Sequence, residues 1–291
     1  MSSGPRVAVC IATFKRPKGL DRLLEGISRL RYRGPEPKVR VVVVDNAPGS
    51  DSQAGQVCER WRSEIPDLVF EEEPEQGISF ARNKGLDAAG EVDFIAFIDD
   101  DEAPAPEWLD ELLGVQRHYD ADVVRGPVLP RFENDPEEWV VKGRFFERPR
   151  YPTGTVLDRA FTHNVLFRYD PFGRDYRLSP KYARSGGSDT HLFHRMYLDG
   201  ATIIWADDAV VYEWNPASRQ TREWLLRRQY RFGLVRAAID AELELHPSPR
   251  FNTANQALQR IVAGASGVVA TAIGPKHLRI KSMALFASGL G

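Results

Sequence analysis

The sequence predicts an α/β protein with a mostly parallel central sheet flanked by helices and followed by a helical C-terminal extension. Three observations carry that prediction. Apolar runs occur at Val7-Ala8-Val9-Cys10-Ile11-Ala12, Val41-Val42-Val43-Val44 and Phe94-Ile95-Ala96-Phe97-Ile98. Runs without polar alternation suit strands buried on both faces, the habit of parallel sheets covered by helices. Between the first two lies a helical period, Leu20, Leu23, Leu24, Ile27 and Leu30, opened by Pro17. Each run then ends in polar residues: Thr13 to Arg16, Asp45-Asn46, and Asp99-Asp100-Asp101-Glu102. A right-handed crossover brings the first two of these ends to one edge, and the crevice outside such strand ends is where open α/β sheets bind ligands.

The 291 residues suffice for one large α/β domain, with or without a tail. Apolar content of 42% with 27% charged residues is ordinary for a soluble globular chain. A net charge of −2 argues against general nucleic-acid binding, which needs a basic surface to displace counterions. The charge is uneven, however: from Arg219 onward eleven Lys/Arg stand against four Asp/Glu. Cys10 and Cys58 are too few for a disulfide framework or a Cys-based zinc site, and Met1 to Arg6 holds no hydrophobic signal segment. A cytoplasmic protein is expected.

Further elements follow in order. Leu68 to Glu71 reads as a third strand, and Gln76 to Gly85 starts a helix. Pro106 opens another, with Trp108, Leu109, Leu112 and Leu113 facing inward, and Asp122-Val123-Val124 is a short strand. The stretch from Asp135 to Thr155 is rich in Pro, Arg and aromatics, including Trp139, Phe145, Phe146 and Tyr151; it reads as a mobile loop over ligands or as a set of packing residues. His163 to Phe167, Thr202 to Trp205 and Val210 to Tyr212 are strands, with Asp207-Asp208 a turn. A long Arg-dense helix begins at Thr221, and Pro247-Ser248-Pro249 separates it from the remainder. Ile261 to Pro275 is uncharged but glycine-interrupted and too short for a membrane span. It is either a buried core helix or an interfacial one, with Lys276, Arg279 and Lys281 available to anionic headgroups.

Two clusters carry chemistry. If the chain stays extended beyond Ile98, Asp99 and Asp101 point to one side and Asp100 to the other. Neighbouring carboxylates repel unless a cation or proton separates them, and an oxygen-only donor set favours Mg²⁺ or Mn²⁺ over zinc. The second cluster is Ser185-Gly186-Gly187-Ser188-Asp189-Thr190-His191-Leu192-Phe193-His194. Its glycines let the backbone pass close to a ligand, and an acid at a helix start suits the helix dipole. Read on its own, Asp189 is an N-cap. His191 and His194 have a metal-chelating spacing, but without a third matched ligand they read as solvent-facing or packing histidines.

The pieces Ala12-Thr13-Phe14-Lys15-Arg16, Val44-Asp45-Asn46, Gly77 with Ala81-Arg82-Asn83, and Phe97-Ile98-Asp99-Asp100-Asp101 together resemble the nucleotide-sugar-binding half of family 2 glycosyltransferases, which have the GT-A fold. The Gly186 to Phe193 stretch resembles that family's Gly-Gly-Glu-Asp-Thr-x-Leu-Phe motif, with Ser188 in place of Glu. The resemblance implies a GT-A domain over residues 1–240, with a nucleotide-binding half (about 1–102) and an acceptor and catalytic half (103–240), and the expected extension over 241–291 is helical and suited to membrane association. It implies that Asp45 contacts the nucleobase, that the Thr13, Phe14 and Arg16 loop cradles ribose and diphosphate, and that Gly77, Arg82 and Asp100 border the donor. Asp99 and Asp101 would hold ribose and the metal, Mn²⁺ or Mg²⁺. Asn164 matches a position beside the donor sugar and Glu213 one that contacts metal or sugar, while Arg227 and Arg228 match a basic segment that reaches a diphosphate on the donor or on a lipid-linked acceptor. Asp189 would be the general base.

The implied activity is inverting transfer of a sugar from a nucleotide-diphosphate donor, a UDP-sugar by family habit, to a saccharide hydroxyl. The chain is similar to bacterial exopolysaccharide transferases of the succinoglycan kind, whose acceptors are polyprenyl-diphosphate-linked and whose site of action is the inner face of the plasma membrane. The alternative, suggested by Ser188, is a catalytically inactive nucleotide-sugar-binding scaffold of a polysaccharide-assembly complex.

Overall fold

Strand β1 (Arg6–Thr13) turns Val7, Val9 and Ile11 to one face of the sheet and Ala8 and Cys10 to the other, and none of the five is more than 1% exposed. β2 (Lys38–Asp45) divides in the same way, Val41 and Val43 against Val42 and Val44. Because side chains alternate along a strand, a run apolar at every position builds two cores at once. The computed structural model describes residues 4–47, 53–169, 175–243 and 249–291; Met1 to Ser3 and the Pro247-Ser248 break lie outside them.

The remaining strands are β3 (Leu68–Glu72), β4 (Phe94–Phe97), β5 (Glu102–Pro104), β6 (Val123–Arg125), β7 (Val128–Phe132), β8 (Val156–Leu157), β9 (Val165–Arg168), β10 (Ile203–Trp205) and β11 (Val211–Asn215). The large sheet has the order β3-β2-β1-β4-β9-β6-β10-β8. β1, β2, β3 and β4 are mutually parallel, as are β6 and β10, whereas β9 and β8 run antiparallel to their neighbours. The order 3-2-1-4 brings the carboxyl ends of β1, β2 and β4 to one edge.

On one face lie α1 (Pro17–Ser28), α2 (Ala54–Trp61) and α4 (Trp108–Tyr119), whose Leu20, Leu23, Leu24, Val57, Trp108 and Leu112 fill the first core. On the other lie α3 (Ile78–Ala88) and α6 (Ser188–Leu198), contributing Ala81, Leu86, Leu192, Phe193 and Met196. α5 (Glu138–Gly143), α7 (Arg222–Glu242), α8 (Pro249–Ala270) and α9 (Lys276–Leu290) complete the set. The chain forms two compact units, Met1–Leu129 with Arg148–Trp214, and Pro130–Glu147 with Asn215–Gly291.

In the second unit the aromatic stretch after Asp135 is largely a packing element. Trp139 and Phe146 are buried with Val140, Leu225 and Ile280, and Phe146 stacks on Trp224 at 6.0 Å. α8 and α9 pack with little between them: a Cβ on Gly264 would stand 2.5 Å from the Phe286 backbone nitrogen. The buried-helix reading of Ile261 to Pro275 is corrected here, because Val262, Val269 and Ile273 are 57%, 78% and 102% exposed. α8 is half of a helix pair whose contact runs through small residues, so its larger apolar side chains are left facing outward. Among the described residues no helix is long and apolar enough to cross a membrane.

Candidate functional site

The site begins where β4 ends. After Phe97 the backbone leaves the strand and turns at Asp100-Asp101 before re-entering extended structure as β5. The expectation that Asp99 and Asp101 share one side therefore fails, since alternation applies only while the chain stays extended. Instead Asp100 and Asp101 converge on one nitrogen of Arg16, at 2.7 and 3.0 Å, and Asp99 takes a separate bond from Arg82 at 2.7 Å.

Asp100 is the buried pin of this turn, only 5% exposed. It accepts hydrogen bonds from the Thr13 hydroxyl (2.9 Å) and the Phe14 amide (3.3 Å), tying the loop after β1 to the end of β4. Burial raises its pKa, and the opposing pull of Arg16 and Thr13 does not cancel that rise. For Arg16, burial works against the charge, but Asp100, Asp101 and Asp99 outweigh it and raise the pKa. α1 reaches this turn closely enough that a Cβ on Gly19 would stand 2.3 Å from the Asp100 carbonyl oxygen, so a larger residue there would push the loop away.

Asp45, at the end of β2, is 3% exposed and caps the turn by accepting from the Ala47 amide at 2.9 Å. Its neighbour Asn46 accepts from the Gly77 amide at 2.8 Å and donates to the carbonyls of Glu73 and Glu75. Gly77 has φ +153°, and a Cβ there would lie 2.7 Å from the Ala183 side chain. Only glycine permits this close passage, which connects the ends of β1 and β2 with the segment that leads to α6.

At the start of α6, Gly186 and Gly187 both have positive φ, +82° and +95°, which turns the chain sharply into the helix. Asp189 lies in the first turn, where the helix dipole favours an anion. Its Oδ1 accepts from the Thr190 amide at 2.7 Å, while Oδ2 has no hydrogen-bonding partner among the described residues. Ser188 is buried and its hydroxyl is also unpartnered. His191 is buried against Tyr182, with ring centroids 5.3 Å apart, and among the described residues no group of three or more His, Cys, Asp or Glu side chains has metal-holding geometry.

Asn164, expected beside the donor sugar, is corrected to a structural strut. It is fully buried, its Oδ1 accepts from Trp108 Nε1, and its Nδ2 donates to the carbonyls of Pro127 and Ala209, all at 2.7 Å. Both amide hydrogens are engaged and the side chain is sealed from solvent. Arg227 and Arg228 belong to the second unit, where Arg227 is exposed and Arg228 lies over the rings of Trp224 and Phe232, each at 5.2 Å.

Several polar residues of the site carry no motif. Glu102 is 1% exposed and accepts from the Asp99 amide at 2.9 Å; burial, then the charges of Asp99 and Glu213, raise its pKa well above the carboxylate range. Glu213 in turn pairs with Arg148 at 3.2 Å. Arg125, the last residue of β6, is 8% exposed between Phe161 and Trp205. Its one signal in the sequence is a charge directly after a buried Val-Val pair.

The protein-family description "Glycosyl transferase family 2" matches residues 8–173. The chain is 33% identical over 273 residues, covering 91% of itself and 83% of the relative, to the succinoglycan biosynthesis protein ExoM of Rhizobium meliloti. Among solved structures it is similar to a mannosyltransferase of Pyrobaculum calidifontis in complex with GDP-mannose and Mn²⁺, with TM-score 0.64 and 20% identity over 98% of this chain and 86% of that one. It is also similar to Staphylococcus aureus TarS 1–349 in complex with UDP-GlcNAc, with TM-score 0.58 and 14% identity over 97% and 90% of the two chains. With a strand order that gathers the polar ends of β1, β2 and β4 at one edge, and a match across more than half its length, this chain belongs to glycosyl transferase family 2.

Proposed function

We propose that the protein is a metal-dependent, inverting glycosyltransferase that moves a sugar from a nucleotide-diphosphate donor, a UDP-sugar, to a hydroxyl of a lipid-linked polysaccharide precursor. The observation that carries this reading is Asp189: one carboxylate oxygen is held by its own helix start and the other is unpartnered among the described residues. A general base needs that arrangement, fixed in orientation yet free to take a proton from an acceptor hydroxyl. Single displacement at the anomeric carbon then inverts its configuration. The same free oxygen favours an enzyme over an inactive scaffold.

On the donor side Asp45 would meet the nucleobase, and Thr13, Phe14, Arg16, Gly77, Arg82 and Asp100 would border ribose and diphosphate. Carboxylate oxygens are the hard donors that Mn²⁺ or Mg²⁺ prefers, so Asp101 and Asp99 fit such an ion, with further oxygens drawn from the diphosphate. Among the described residues Asp99 keeps Oδ2 unpartnered beside its bond to Arg82, which agrees with that fit. When bound, the metal would neutralise charge growing on the leaving diphosphate. The residues themselves supply the positive charge of Arg16 and Arg82 and the fixed backbone of the β1 loop.

Residues 1–240 would be the catalytic region, and 241–291 an extension at the inner face of the plasma membrane. The exposed Val262, Val269 and Ile273, followed by Lys276, Arg279 and Lys281, support peripheral lipid contact. The reading is tested by incubating the protein with Mn²⁺, a panel of nucleotide sugars and polyprenyl-diphosphate saccharides. Nucleoside diphosphate release that depends on acceptor, with an inverted anomeric signal in the product, is expected; donor binding without turnover on any acceptor would sink it.

A further inference from the structure

Arg125 is a buried cation, 8% exposed. Among the described residues its side chain makes no hydrogen bond and no ion pair, and its Nε is sealed from solvent without a partner. The faces of the guanidinium are covered, by Phe161 at 4.5 Å and Trp205 at 5.3 Å. Stacking satisfies the faces but not the N–H groups, which project from the edge of the plane. A buried, unpaired guanidinium is costly in a folded protein, so its presence calls for an explanation in binding.

The surroundings deepen the imbalance. Arg148 and Arg159 both bear on Arg125, and burial, followed by Arg148, lowers its pKa to about 10. The nearby acids are already engaged: Glu213 with Arg148 at 3.2 Å and Asp158 with Arg159 at 2.7 Å. Arg148 keeps a second buried nitrogen, NH1, without a partner. Tyr151, edge-on to Trp205, and Asp189 also act on Arg125, but neither is hydrogen-bonded to it.

We propose that Arg125, with the free nitrogen of Arg148, forms an anion subsite at the end of β6 that takes a carboxylate or phosphate carried by a sugar substrate beside Asp189. This rests on the glycosyltransferase reading for the identity of the ligand. Guanidinium edges match the paired oxygens of such groups, and the aromatic walls exclude the water that would weaken the contact. The substrate is thereby narrowed to an acidic one, with the charge on either the transferred sugar or the acceptor.

The test uses the full chain and the variants Arg125→Met and Arg125→Lys, titrated calorimetrically. One arm compares UDP, UDP-glucose and UDP-glucuronate; the other, with UDP present, compares D-glucose with D-glucuronate and glucose 1-phosphate. An acidic ligand is expected to bind at least tenfold tighter than its neutral counterpart in one arm. Arg125→Met should abolish that preference without changing neutral-ligand affinity, and Arg125→Lys should keep part of it. No preference in either arm, or one that survives Arg125→Met, overturns the subsite. An equal loss for UDP, UDP-glucose and UDP-glucuronate would assign Arg125 to the donor diphosphate and overturn it as well. Failure of every uridine ligand to bind would instead count against the donor reading, leaving the free-sugar arm to decide the subsite. Thermal melting supplies a separate check: Arg125→Met should melt no lower than the parent, and a large drop would make Arg125 a packing residue.

Discussion

Replacing Asp100 by Ala or by Asn separates two roles of a buried carboxylate, that of hydrogen-bond acceptor and that of charge. The residue is 5% exposed and accepts from Thr13 at 2.9 Å and from the Phe14 amide at 3.3 Å. Removing the acceptor leaves a buried hydroxyl unpaired, at a cost of about 1–3 kcal/mol, and the longer Phe14 bond adds up to about 1. Arg16 is nearly half exposed, so its ion pair with Asp100 is screened and contributes at most about 1 kcal/mol. Asp100→Ala should therefore lose about 1–5 kcal/mol. Asn keeps an acceptor for Thr13 and removes a charge that the fold disfavours, as the raised pKa records. Asp100→Asn should lose less than about 1 kcal/mol.

The sign of the pH effect follows from the same shift. A carboxyl whose pKa is raised by folding contributes fully to stability below its ordinary value, and that contribution fades as pH rises through the folded-state value. The parent should therefore lose stability over this range, relative to Asp100→Asn. Urea denaturation in EDTA between pH 4 and 8 measures both effects, with those pH limits set at roughly the ordinary carboxylate value and above neutrality. If Asn costs as much as Ala, the negative charge is itself the stabilising feature and the argument from burial is wrong.

Other perturbations test neighbouring statements. Asn164→Ala leaves Trp108 Nε1 and the carbonyls of Pro127 and Ala209 without their partner and should lower unfolding free energy by about 3–5 kcal/mol, read by denaturant titration. An unaltered fold with weakened donor binding would return Asn164 to the donor site. Asp101→Ala should raise the Mn²⁺ concentration needed for half-maximal donor binding by at least tenfold, about 1.4 kcal/mol, and an unchanged metal titration would remove it from the ligand set. Changing Val269 and Ile273 to Asp should abolish sedimentation with anionic phosphatidylglycerol vesicles while leaving soluble-substrate turnover unchanged. Equal sedimentation of parent and variant would argue against lipid contact through the end of α8 and the turn after it.

The sheet was legible because β1, β2 and β4 are buried on both faces, so apolar residues at successive positions announce them. Pro17 and the leucine period did the same for α1. The acidic run was legible as a cluster but not in its geometry. Glu102 looks like a fourth solvated acid, yet it begins the short strand β5 and is buried beneath Asp99. Asn164 was misread because a buried polar strut and a ligand contact share the same local sequence, a polar residue at the start of a strand. Arg125 gave almost no signal, since its distinction is the partners it lacks, and those depend on β9, β10 and the 148–161 segment folding around it. α8 was read from composition as two alternatives, and small-residue packing against α9 turned its apolar side chains outward.

Whether Asp189 takes the acceptor proton is tested by Asp189→Asn with little change in shape. The amide retains an acceptor for the Thr190 amide but cannot serve as a base. With donor affinity measured by calorimetry and turnover by nucleoside diphosphate release, turnover should fall by about 10²–10⁴-fold while the donor Kd changes less than about threefold. Turnover that survives the substitution, or a donor Kd that rises as far as turnover falls, would contradict the account.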